Sequence, residues 1–140
     1  MGLYEENEFE WRLRQILLLE SGRVDEVDYD SLLNLLLEIG LSEKRTVEGL
    51  ARIVILHLLK LKYQPEKATR SWMSSVAANR ETLQTLIANT TLRNHLESSL
   101  PKIYKIARRL AAIETGLGPQ LFPETCPFTV GQILDDDFFA

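Results

Sequence analysis

With 45% hydrophobic and 26% charged residues among 140, the chain has ordinary globular usage, which excludes a disordered or fibrous protein. It is long enough to bury roughly two-thirds of its unfolded surface without a disulfide or metal staple, so a single domain over 1–140 is expected. The net charge of −4 conceals a segregation, with ten acids against three bases in residues 1–40 and three acids against eight bases in 41–80. Residues 81–118 hold three acids and five bases, and residues 119–140 four acids and no base, so acidic ends flank a basic middle. Either oppositely charged surfaces neighbour each other, or the middle offers a face to an anionic partner.

Apolar residues recur at helical spacing almost throughout, and no apolar/polar alternation bounded by turns marks a strand. The spacing predicts a first helix over about Glu5 to Ser21, with Phe9, Leu13, Ile16 and Leu17 on one stripe and Gly22 as its stop. A second begins after the N-cap candidate Asp28 and ends at Gly40. Its run Leu32, Leu33, Leu35, Leu36, Leu37 and Ile39 is apolar nearly all round, so it is expected either at the centre of the fold or against another subunit. A third, capped by Ser42, carries Val47, Leu50, Ala51, Val54, Leu58 and Leu61 on one face as far as the Tyr63-Gln64-Pro65 break.

A fourth helix, from about Thr69 to Ala88, gathers Trp72, Val76, Leu83, Leu86 and Ile87, with Asn79 or Arg80 on or beside that stripe and in need of a polar partner. Thr91 opens a short helix through Leu96, and Pro101 starts another that reaches about Thr115 and is closed by Gly116. The prolines extend the tail from Pro119 to Pro127, and Thr129 with Gln132 forms a capping box for a last turn. The expected fold is therefore all-α, a compact bundle of about five to six helices wrapped by an extended C-terminal tail.

Several blocks in register resemble a known family. Glu38-Ile39-Gly40 is followed by His57-Leu58-Leu59-Lys60, Tyr63-Gln64-Pro65 and Arg70-Ser71-Trp72. Later come Ala107-Arg108, the stretch Ala111 to Leu117, Phe122-Pro123, Cys126-Pro127-Phe128 and Gln132-Ile133-Leu134. Together they resemble the bacterial domain-of-unknown-function family 29 over essentially the whole chain. The resemblance implies a helical fold and supplies no activity and no catalytic residues. Leu61 stands where the family often has Trp, and Phe128 where it often has Tyr.

No catalytic constellation is evident. His57, His95 and Cys126 lie too far apart in sequence for metal-ligand spacing, so neither metal nor cofactor is expected. Cys126, in Glu-Thr-Cys-Pro-Phe, has no neighbouring base to lower its thiol pKa, and it cannot form an intramolecular disulfide. The N-terminal MGLYEENEFE lacks a secretory pattern, Glu6 replaces the Ser or Thr of a myristoylation motif, and no run approaches the roughly 18 apolar residues of a membrane span. A cytoplasmic protein without membrane contact is expected.

Two groups of residues remain as candidates. His57, Arg80, Tyr104, Arg108 and Glu114 could line a polar pocket between helices for a small ligand or acid/base chemistry, or could pin the bundle, with Arg80 and Glu114 as a buried ion pair. Lys60, Lys62, Tyr63, Lys67, Arg70 and Trp72 mix cations with aromatic rings around a proline break, as a surface contacting phosphates and stacking bases does. The expectation that ranks first is a non-enzymatic protein-interaction module. Its partner is another protein or a second copy of the chain, met through the leucine-rich helix 29–39.

Overall fold

The structure is a computed structural model that describes residues 7–140. Among the described residues five helices follow in order: α1 (Glu8–Glu20), α2 (Tyr29–Tyr63), α3 (Arg70–Ile87), α4 (Thr90–Thr115) and α5 (Val130–Leu134). Single 3-10 turns lie at Val24–Glu26, Pro65–Lys67 and Pro119–Leu121, and no strand occurs among the described residues. The chain divides into two compact units, Met1–Ser42 and Glu43–Ala140, with the division inside α2.

Two expected helix breaks are not made. Gly40 and Ser42 lie inside the 35-residue α2, and Pro101 lies inside the 26-residue α4. The reason is conformational. A helix stop of the expected kind requires a left-handed residue, which Gly22 (φ 74°) and Gly116 (φ 72°) supply and Gly40 does not. A glycine that keeps helical dihedrals costs a helix only about 0.5–1 kcal/mol relative to alanine, too little to end one held by packing. Pro101 removes a single donor, and the apolar face it interrupts continues on both sides, from Leu92 and Leu96 to Ile103, Tyr104 and Ala107.

In the N-terminal unit, Asn7 caps α1 through its side chain to the Glu10 amide, and Asp28 accepts the Ser31 amide at the start of α2. The predicted first turn at Glu5 lies outside the described residues. The buried side of α1 is Trp11, Gln15 and Leu18, not the stripe expected from its apolar content. Trp11 Nε1 donates to Asp28 Oδ2 at 3.0 Å, and the Gln15 side-chain oxygen accepts the Asp28 amide at 2.8 Å. Two hydrogen bonds to one residue thus fix which face turns inward, and Phe9, Leu13, Ile16 and Leu17 face solvent.

The C-terminal unit holds the main core. Val47, Ala51, Val54, Ile55, Leu58 and Leu59 of α2 pack with Val76, Leu83 and Ile87 of α3, and with Leu96, Ile103, Ala107 and Ala111 of α4. The tail closes this core with Phe122, Phe128 and Ile133. As expected, α5 begins with a reciprocal capping box between Thr129 and Gln132.

Candidate functional site

The polar residues expected in a common pocket are placed separately in the C-terminal unit, and most of them hold backbone carbonyls. Arg80 is fully buried on α3. Its Nε donates to the Ile133 carbonyl at 2.8 Å, and its Nη2 to the Phe138 carbonyl at 2.8 Å and the Gln132 carbonyl at 3.4 Å. The Phe139 ring lies 5.4 Å from the guanidinium carbon. One turn further along α3, Gln84 Nε2 donates to the Leu134 carbonyl at 2.7 Å and to Asp136 at 2.8 Å.

The carbonyls of Gln132, Ile133 and Leu134 belong to the last turn of a five-residue helix; Gln132 accepts the Asp135 amide at 3.3 Å, and Ile133 and Leu134 are left to side chains of α3. Arg80 and Gln84 act as its C-terminal cap in trans. A helix this short does not form unaided, so α5 exists because α3 completes it. Burial pushes the Arg80 pKa down, while Asp136 and Asp135 push it back up.

Tyr104 and Arg108, one turn apart on α4, repeat the device on the extended part of the tail. The Tyr104 hydroxyl donates to the Pro123 carbonyl, and the Arg108 Nη2 donates to the Phe122 carbonyl at 3.0 Å. Tyr104 is 2% exposed, and burial raises its phenol to about 12. His57 Nδ1 donates to the Ile53 carbonyl of its own helix at 2.9 Å. The expected pair between Arg80 and Glu114 is not formed: Glu114 accepts Lys60 Nζ at 3.1 Å instead. The Nε and Nη2 of the buried guanidinium are directed to carbonyls of the tail, while its Nη1 has no hydrogen-bond partner.

The aromatic–basic stretch is likewise divided. Lys60 is buried, with Nζ 4.5 Å from the Trp72 ring centre as well as on Glu114. Tyr63 packs edge-on against Phe122 at 5.2 Å. Lys62, Lys67 and Arg70 are exposed, and Lys62 lies 5.7 Å from the Phe128 ring centre. The surface therefore keeps three of its four cations and neither aromatic ring fully free.

One cluster escapes sequence reasoning because its members lie 47 and 54 residues apart. Glu48 of α2 accepts His95 Nε2 at 2.8 Å and Lys102 Nζ at 2.9 Å, both from α4. The Ser99 hydroxyl lies 3.3 Å from Nε2 and 3.5 Å from Nδ1 of His95, so it sits between the two ring nitrogens and is not aligned on the nitrogen opposite Glu48 as a nucleophilic relay requires. The bonds from Lys102 and then His95 lower the Glu48 pKa from its ordinary 4.5. A depressed carboxyl pKa gives stability that is complete above the ordinary value and lost as pH falls through and below it. Glu48→Gln is expected to cost about 1 kcal/mol at pH 7 and progressively less as pH falls from 4.5 towards 3. Urea melts of both proteins across that range check this, and parallel pH profiles would refute it.

A groove of about 430 Å³ at α4 is lined by the cations Lys105, Arg108 and Arg109 and by the apolar Ala112, Ile113, Leu117 and Pro119. Chemically it suits an anionic group joined to an apolar body. Cys126 is half-buried, and burial raises its thiol pKa, which makes it a poor nucleophile. Among the described residues no group of three or more His, Cys, Asp or Glu could hold a metal ion, and no helix is long and apolar enough to cross a membrane.

The family model described as "Domain of unknown function DUF29" matches residues 3–139. The chain belongs to this family. No curated protein and no solved structure matches it. In this member of the DUF29 family, Phe128 is buried and packs edge-on against Phe138 at 5.8 Å, and Leu61 is half-buried against the core. Both positions thus serve the packing of α2 and the tail.

Proposed function

We propose that this protein is a non-enzymatic helical interaction module whose contact surface is the apolar side of its N-terminal unit. The observation that carries this is the distribution of exposed large hydrophobic side chains. Of fifteen among the described residues, twelve lie between Phe9 and Leu41. Leu17, Leu33, Leu36 and Leu37 are 65, 58, 58 and 57% exposed. Contiguous apolar surface beyond a few hundred Å² on a soluble protein marks a place of association. The partner is a protein chain presenting a matching apolar helix. Of the polar groups that would serve an enzyme pocket, Arg80, Tyr104 and Arg108 are occupied in holding the tail, which favours binding over catalysis.

In native extracts, the wild-type chain is expected to migrate well above its own 16.0 kDa. A Leu36→Glu/Leu37→Glu variant should fall to that size without losing helicity. Wild-type protein already running at 16.0 kDa in extract would overturn the proposal.

A further inference from the structure

Resting on the proposal that this surface is an interaction face, we infer that its occupant is a second copy of the same chain: two N-terminal units pair as four helical segments, with the α2 helices crossing at Gly40. Three observations converge on a like partner.

The first is size. The N-terminal unit spans 42 residues, and its buried apolar side chains among the described residues are Trp11, Leu18 and Val27. Units of about 40 residues usually require a disulfide, a metal or oligomerisation to be stable. This one has no cysteine, since Cys126 is the only one in the chain. Its exposed large apolar side chains, twelve from Phe9 to Leu41, far outnumber those it buries, and an interface of its own would cover them.

The second is charge. The unit as a whole is strongly acidic, yet from Ser31 to Ser42 the only charged residue is Glu38. A partner selected by charge would meet a charged stripe. A neutral stripe suits pairing with its own image, because a charge close to a two-fold axis would meet its own copy there.

The third is Gly40. Leu33, Leu36, Leu37, Gly40 and Leu41 fall at i, i+3, i+4, i+7 and i+8, which is one helical face. A Cβ built on Gly40 would meet nothing within 4 Å, so the chain's own packing does not require glycine there. Nor does its backbone, which is not left-handed. A helix-interior glycine without an internal reason fits the close approach of another backbone, with the flanking leucines seated on either side of the crossing.

Sedimentation equilibrium of the purified full-length chain at micromolar concentration tests this. The expected result is twice the 16.0 kDa chain mass, reverting to 16.0 kDa in Leu36→Glu. That position is exposed in the single chain, so glutamate there removes no packing within it, and the C-terminal unit with its own core should stay folded. Gly40→Ala is expected to weaken the dimer roughly tenfold through overpacking at the crossing. At a helix surface that nothing crosses, the same change would instead stabilise. A dimer unaffected or strengthened by Gly40→Ala overturns the crossing.

A strictly monomeric wild-type chain overturns the second copy as occupant. In that event an apolar fluorescent dye separates the two proposals. Dye binding that Leu36→Glu abolishes leaves the face open for a different protein, and absence of binding removes the interaction face as well.

Discussion

Arg80→Met is expected to lower the stability of the C-terminal unit by about 3–4 kcal/mol, the larger part of the reserve of an ordinary domain. Methionine fills much of the volume but donates nothing. The carbonyls of Ile133 and Phe138 would then be left without donors beneath the Phe139 ring, each at a cost of about 1–3 kcal/mol. An opposing term exists, because Arg80 Nη1 is buried without a partner and the desolvation of the guanidinium would be relieved. Two well-made bonds to helix-end carbonyls outweigh one missing bond.

Arg80→Lys should recover little, since a single ammonium cannot reproduce the fork that spans Ile133 and Phe138. Thermal melts should fall by on the order of 10 °C, and limited proteolysis should cut the tail after Thr129 before the rest of the chain. A melting temperature within a degree or two of wild type would refute the role given to Arg80.

How far the sequence anticipates this arrangement depends on the range of the interaction concerned. Local signals hold: Asp28 at the start of α2, Gly22 and Gly116 as left-handed stops, the Thr129–Gln132 box and the need of Arg80 for a partner. Each depends on residues within a turn or two, apart from the identity of the Arg80 partner. Gly40 defeats the same logic, because a glycine signals only that a left-handed residue is permitted.

The inward face of α1 is hidden for a different reason. Periodicity selects the more apolar stripe, whereas Trp11 and Gln15 are turned inward by hydrogen bonds to Asp28, more than a dozen residues away. Pairing across the bundle is the least legible. The pairs Lys60–Glu114 and Glu48–Lys102 each span 54 residues, and nothing in either segment specifies its partner. The candidate pocket shows both sides of this. Its polar residues are indeed buried or half-buried, except Glu114, but the groups that claim them are backbone carbonyls, which composition does not reveal.

Tyr104→Phe is expected to reverse the order of stability between neutral and strongly alkaline solution. At pH 7 the variant loses the bond to the Pro123 carbonyl and leaves that acceptor buried, a cost of about 1–2 kcal/mol. In the wild-type protein, however, the phenol titrates near its ordinary value of 10.0 when the chain is unfolded and at about 12 when it is folded. A folded-state pKa that lies above the unfolded one gives stability complete below the lower value and lost as pH rises towards the upper. Two pH units correspond to about 2.7 kcal/mol, so the wild-type chain should forfeit roughly that amount between pH 10 and 12 through this residue alone. Phenylalanine has no proton to lose. Other groups titrate in the same window, but they do so in both proteins and cancel in the difference. Denaturant midpoints should therefore favour wild type at pH 7, converge near pH 11 and favour Tyr104→Phe by pH 12. A constant gap across that range would mean that the Tyr104 phenolate is solvated in the folded chain and that the tail does not seal it.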